Sequence, residues 1–201
     1  MAPRYQSKGV HYYAYSTLRS ARFLASDIRK RVVQNGDTVV DGTLGNGHDT
    51  LELAELVGPA GRVIGMDIQP EAVKRTMARL TEAGVADRCS LHVMGHEHMK
   101  EIVPSGIRYC CLNLGWLPGG DKSVTTHWET TRVALESALE LLAPMGVLTV
   151  CVYPGHEAGA KELMEIQAFF ASLRPQAFNC LRQSFLNAGP GSPECYVVQK
   201  Q

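Results

Sequence analysis

The chain has 201 residues, 45% of them apolar and 20% charged, with a formal net charge of zero. That length suits one α/β domain with a sizeable core; the balanced charge gives no global argument for nucleic acid, and no run nears the roughly 20 apolar residues of a membrane span. Six cysteines, most of them in apolar runs and with no Cys-x-x-Cys pair, argue against a zinc site and read as reduced thiols of a cytoplasmic compartment.

The charges are unevenly spread. Residues 1–31 hold seven Lys and Arg against Asp27 alone, an excess of +6 that the rest of the chain cancels. Such an arm either meets phosphates or forms a solvated helix face. It is also acid-poor in the manner of a transit peptide. Leu18, Ala21, Leu24, Ala25, Ile28 and Val32, however, keep helical spacing behind Ser16 and Thr17. That pattern predicts a capped helix which, with the tail before it (about 1–34), packs on a single domain spanning 1–201.

Next, the β-branched run 38–40 predicts a buried strand ended by Asp41. Gly42, Gly45 and Gly47 make a turn, and His48-Asp49-Thr50 opens a helix with Leu53, Leu56 and Val57 on one face. A turn signal at 58–61 leads to a second strand, 62–66, ending at Asp67. Pro70 then starts a helix carrying Val73, Met77 and Leu80. Strands follow at 89–94 and 109–114, then a polar loop over 115–123. A long helix comes next, with Trp128, Thr131, Leu135, Ala138, Leu139 and Leu142 in register. A fifth strand (146–153), a helix marked by Leu163, Ile166, Phe170 and Leu173, and two closing strands (178–183 and 195–200) complete the chain. Alternating strands and helices imply right-handed crossovers and a parallel sheet. The last two strands have no helix between them, so they form a hairpin and place one antiparallel strand in the sheet.

Strand, glycine turn, helix is the geometry that brings backbone N–H groups against a nucleotide-like ligand. The spacing here, Asp-x-x-x-Gly-x-Gly, resembles motif I of class I S-adenosylmethionine-dependent methyltransferases. Asp67, at the next strand end and 20 residues after Gly47, is placed to accept from both ribose hydroxyls. Its competing role is to complement a helix N-terminus through Gln69 and Pro70. Gly95, His96 and Glu97 would flank an adenine, although Glu97 and His98 also suit a helix start. His96 and His98 lack the partners of a metal set. Asn113-Leu114-Gly115-Trp116 resembles the Asn/Asp-Pro-Pro-Tyr/Phe motif of methyltransferases acting on amino nitrogens. There, an amide oxygen accepts the amine's hydrogens while an aromatic stacks on the base. The alternative is a turn-capping Asn113 and a surface Trp116. In the loop, Lys122 could meet a phosphate and Asp121 could steer a proton, or both are ordinary turn residues.

Taken together, residues 41–50, 66–69, 95–97, 113–123, 129–131 and 153–157 look like the MnmM (YtqB-like) family, whose members are S-adenosylmethionine-dependent tRNA methyltransferases. They convert 5-aminomethyl-2-thiouridine at the wobble position to its 5-methylaminomethyl form. The resemblance runs from about residue 36 to the C-terminus. It implies a class I fold: a three-layer α/β sandwich on a mostly parallel seven-stranded sheet. It implies S-adenosylmethionine held by Asp41, Gly45, Asn46, Gly47, His48, Asp49, Thr50, Asp67, Ile68, Gln69, Gly95, His96, Glu97, Asn113 and Gly115. Asn113 and Asp121 would be the catalytic residues. Trp116, Leu117, Pro118, Gly119, Lys122, Ser123 and His156 would face the modified uridine of a tRNA anticodon stem-loop. No metal and no membrane is expected, and a homodimer is left open. Gly42, Trp116 and Pro154 stand where the family commonly has Ala, Tyr and His. Rival readings are a methyltransferase for rRNA or a small amine, a non-catalytic cofactor-binding module, and an NAD-binding protein.

Overall fold

The computed structural model describes residues 20–117, 119, 123–155, 157–189 and 191–201. In chain order the elements are α1 (Ala21–Val32), β1 (Thr38–Asp41), α2 (His48–Val57), β2 (Arg62–Asp67), α3 (Pro70–Glu82), β3 (Cys89–Val93), β4 (Ile107–Leu114), α4 (Trp128–Leu141), β5 (Leu142–Val152), α5 (Glu157–Ser172), β6 (Phe178–Gln183) and β7 (Glu194–Lys200). Short 3-10 helices at Ala86–Arg88 and His96–Glu101 flank β3.

The strands form a seven-stranded sheet among the described residues, in the order β3-β2-β1-β4-β5-β7-β6. Every pairing from β3 to β5 is parallel, and β7 runs antiparallel to both β5 and β6. Strand order therefore reverses between β1 and β4, and the carboxyl ends of those two strands open the crevice where ligands bind in such sheets.

Two apolar layers cover the sheet. Ala21, Ala25, Val39, Leu53, Val57, Leu80, Tyr109 and Cys111 pack beneath α1, α2 and α3. Met99, Leu112, Leu114, Leu135, Ile166 and Phe170 pack on the opposite face, under α4 and α5. Parallel strands covered on both faces read as continuous apolar runs, which is why β4 and β5 were conspicuous in the sequence.

Three details differ from the expectations. Ser20 stands at the N-cap of α1, while Ser16, Thr17 and Leu18 lie outside the described residues. The inward stripe of α1 is Ala21, Ala25 and Arg29, with Leu24, Ile28 and Val32 at its borders. β5 begins at Leu142 rather than 146 because a bulge sets Arg108 of β4 against residues 143–146, and Met145 takes a φ of 62° there. Pro144 and Gly146 look like the end of a loop from sequence, yet a bulge accommodates both.

Candidate functional site

A cavity of about 570 Å³ opens over the carboxyl ends of β1, β2 and β4, within the range of small-molecule sites. Its floor is the turn after β1. Asp41 ends that strand fully buried, with Oδ1 accepting from the Thr43 N–H (3.2 Å) and Oδ2 from the Thr50 hydroxyl (2.6 Å). The turn then reaches β2: Leu44 N–H donates to Met66 O (3.1 Å) and Gly45 N–H to Asp67 Oδ2 (3.0 Å). Gly47 has a φ of 75°, and a Cβ there would lie 2.9 Å from Thr76 Cα. Only glycine lets α3 pack this closely on the turn.

Asp67 takes the helix-entrance position that competed with the ribose role, and it braces the turn as well. Oδ2 braces Gly45 and Oδ1 accepts from Gln69 N–H (2.9 Å), at the entrance to α3. Each oxygen keeps a second lone pair for a ligand hydroxyl, and Asp67 lines the cavity with Ile68 and Gln69.

His96 is 8% exposed and lines the cavity. Burial pulls its imidazole below the ordinary histidine value, against the opposing charges of Glu97 and Asp67. Its Nε2 has no hydrogen-bond partner among the described residues. Thr125 Oγ1, across from Trp116 in a short antiparallel bridge, is likewise buried without a partner. Buried polar atoms are ordinarily satisfied. Both residues line the one cavity.

Asn113 sits near the end of β4. Its N–H donates to Thr43 Oγ1 (2.8 Å), and its side-chain Nδ2 donates to Asp49 Oδ2 (2.8 Å). Burial tends to raise the Asp49 pKa, but Arg29 at 3.1 Å and the Asn113 amide outweigh it, so the carboxyl lies below its ordinary value. An ionised carboxylate can only accept. The amide's NH₂ must therefore face Asp49, leaving Oδ1 as the end of the side chain that can accept a further hydrogen bond. Trp116 lines the cavity beyond Asn113, with Leu117, Val124, Thr126, His127, Thr130 and Tyr153. Buried Glu162 of α5 holds this wall, accepting from the Thr126 hydroxyl (2.8 Å) and the Thr131 hydroxyl (2.6 Å).

Of the expected site residues, Gly45, Asn46, His48, Asp49, Asp67, Ile68, Gln69, His96, Glu97, Asn113, Gly115, Trp116 and Leu117 all line this one cavity. Asp41 and Thr50 do not. They are buried against each other and order the turn from below. Gly47, Gly95, Gly119 and Ser123 also fall outside the lining, and the Gly47 N–H is spent on Leu44 O (2.8 Å). Pro118, Asp121, Lys122 and His156 lie outside the described residues. Of the basic arm's described cations Arg29 alone is buried, while Arg22, Lys30 and Arg31 are exposed. Arg29 is fully buried against Asp49 and Glu52, and Lys30 pairs with Glu52 at 2.9 Å; Arg22 lines the cavity. Sequence reasoning missed Arg22, Thr43, Thr125 and His127. The polar run before α4 was a usable signal for the last two, whereas nothing local distinguishes Arg22 on a basic helix.

Comparison with known proteins agrees with this geometry. A family model with the description "Putative rRNA methylase" matches residues 63–199. The chain is 38% identical over 179 residues to the tRNA (mnm(5)s(2)U34)-methyltransferase, chloroplastic, of Arabidopsis thaliana, covering 84% of this chain and 65% of that protein's length. Among solved structures it resembles a putative rRNA-methylase from Clostridium thermocellum (38% identity, TM-score 0.90, 92% of this chain and 100% of that one). It also resembles a putative methyltransferase from Streptococcus mutans in complex with SAH (29% identity, TM-score 0.84, 92% and 100%).

Proposed function

We propose, from the premise that the chain belongs to the rRNA methylase family whose model matches residues 63–199, that it methylates the primary amine of 5-aminomethyl-2-thiouridine at the tRNA wobble position, using S-adenosylmethionine. The observation that carries the reading is the Asn113 amide, clamped by Asp49 so that its Oδ1 is left for an amine's N–H. The tRNA methyltransferase of Arabidopsis thaliana supports the choice of RNA. Six free thiols, four of them buried, accord with a reducing, cytoplasm-like setting, and no helix among the described residues is long and apolar enough to cross a membrane.

The cavity fits the cofactor. His96 Nε2 offers a buried, unpartnered bond to an adenine, the spare lone pairs of Asp67 suit ribose hydroxyls, and the turn at 43–46 lies between them and Asn113. When bound, S-adenosylmethionine supplies an electrophilic methyl group on sulfur. The chain's residues do the remaining work. Trp116 offers an aromatic face to the uracil, and Thr125 Oγ1 an unmet hydrogen bond beside it. Asn113 Oδ1 accepts one amine hydrogen and so aims the nitrogen lone pair, an effect of orientation rather than of acid–base chemistry.

An amide cannot take the proton that a primary amine carries at neutral pH. With an unperturbed pKa of about 10.4, holding such an amine neutral costs roughly 4–5 kcal/mol. The cavity walls formed by Leu114, Trp116, Leu117 and Val124 lower that cost by desolvating the ammonium. The proton then leaves to solvent or to Asp121. Replacing Asp121 by Asn distinguishes the two, since only an acceptor role predicts a changed pH profile of turnover.

The test is methyl transfer from labelled S-adenosylmethionine to an anticodon stem-loop carrying the aminomethyl group, with nucleosides resolved by mass spectrometry. Label on the side-chain nitrogen of that uridine is the expected result. Label on rRNA fragments or free amines instead would overturn the substrate. Cofactor binding by calorimetry with no transfer to any acceptor would point to a binding module, and preference for NAD would overturn the cofactor.

A further inference from the structure

The hydrogen bond that clamps Asn113 continues behind Asp49. Arg29 reaches from α1 with its side chain fully buried, Nη1 lying 3.1 Å from Asp49 Oδ1 and 3.3 Å from Glu52 Oε2. Its guanidinium lies over the Tyr109 ring, 5.9 Å from the centroid, while Nε and Nη2 have no partner among the described residues. A buried, incompletely satisfied cation is a poor way to stabilise a fold, because desolvation offsets much of the attraction. Its position behind the amide gives it a different use.

Asp49 itself lines the cavity beside Asn113. A carboxylate there with uncancelled charge would pair with a substrate ammonium and favour its protonated, unreactive form. Resting on the amine-methylation reading above, we propose that Arg29 is a positioning residue for the transfer. Its pairing with Asp49 fixes the Asn113 amide and also cancels the charge that would keep the substrate amine protonated.

The neighbouring charges fit this role. Arg29 and Lys30 of α1 face Asp49 and Glu52 of α2, two cations against two carboxylates, so the cluster is neutral. Below it, Asp41 of β1 is fully buried and hydrogen-bonded to Thr50, and behind it Tyr109 and Cys111 of β4 are held in their neutral forms by burial. Above it, Arg22 acts on both Asp49 and His48, whose imidazole is depressed by burial and by Arg79 and Arg22. Among the described residues, the other titratable groups of the cavity wall are His127 and Tyr153, with Asp67, His96 and Glu97 beside the β2 end.

The experiment is the pH dependence of kcat for the aminomethyl stem-loop in the wild type, R29M, D49N and the R29M/D49N double variant. SAH affinity and thermal unfolding are measured alongside. In R29M the ascending limb moves up by about one pH unit, a loss of about tenfold at a fixed pH on the limb, and SAH affinity stays within about twofold. In D49N, where Arg29 keeps only Glu52, the limb moves down while the plateau falls. The double variant returns the limb to the wild-type position. Folded single variants whose plateaus fall while both limbs stay put would overturn the proposal. Should R29M fail to fold, the double variant decides, since an uninvolved Arg29 would leave its limb where D49N alone puts it. A wild type that leaves the stem-loop amine unmethylated would instead overturn the preceding reading, so the two failures are distinguishable.

Discussion

Asn113 keeps one side-chain atom, Oδ1, for a further partner because Asp49 claims the other end of its amide; the proposed function gives that atom to the substrate amine. Truncating it in Asn113→Ala removes that acceptor from the reacting nitrogen. Loss of one preorganised hydrogen bond at a reacting centre lowers kcat by about 10²–10³, so that drop is expected with SAH affinity nearly unchanged; collapse of SAH binding instead would make Asn113 a cofactor ligand. Asp41 allows a separate test. Burial, with the nearby Asp49 charge, holds its carboxyl up at about 6 in the folded chain, against an ordinary 3.8. Between those values the folded protein keeps a proton that the unfolded chain has released, so this group's contribution to stability is lost as pH rises through the window. The loss totals about 3 kcal/mol at about 1.4 per unit. Urea unfolding should therefore show Asp41→Asn gaining that much relative to wild type between pH 4 and pH 7. A constant offset would contradict the raised value. The place of Asn113 and Asp67 in the cavity lining was legible because each puts a polar group near a strand end, and Trp116 follows β4 by two residues. Arg29 and Glu162 were not, since their partners lie 20 or more residues away and their helices offer no local sign of a buried charge.

At the scale of elements, the turn between β1 and α2 sets the depth of the cavity. Gly47 at φ 75° meets Thr76 of α3 so closely that an added methyl collides with backbone as well as hydroxyl. Gly47→Ala combines left-handed strain with displacement of α3, and about 1–3 kcal/mol of stability should be lost. Calorimetric unfolding and SAH titration should both register it; an unchanged melting point would show that the turn relaxes freely. Helix α1 illustrates how pattern misleads. Its spacing correctly predicts a helix lying on the sheet, yet the innermost stripe is two alanines and an arginine. Small residues bring the helix close enough for Arg29 to cross to α2, a consequence of packing distance that hydrophobic periodicity does not carry. The β5 start was misread for the related reason that a bulge and a loop share the same Pro and Gly signals.

For the whole molecule, parallel alternation and the missing helix before β7 were enough to anticipate the sheet and its antiparallel strand. The reversal between β1 and β4 then brings residues from the first third of the chain against Asn113 and the 124–127 segment in one cavity. Charge was less legible: the N-terminal excess suggests a phosphate-seeking arm, but Arg29 and Lys30 are engaged with carboxylates of α2, and only pairing across the fold reveals it. The proposed reaction requires that the cavity hold a sulfur-borne methyl and an amine in line, with Asn113 on the amine. A crystal structure with SAH and an anticodon stem-loop bearing 5-aminomethyl-2-thiouridine tests it directly. The account predicts SAH across the 43–46 turn, the amine nitrogen about 2.7–3.2 Å from Asn113 Oδ1 and facing the sulfur, and the uracil against Trp116. An amine turned away from Asn113, or SAH seated outside this cavity, would contradict it.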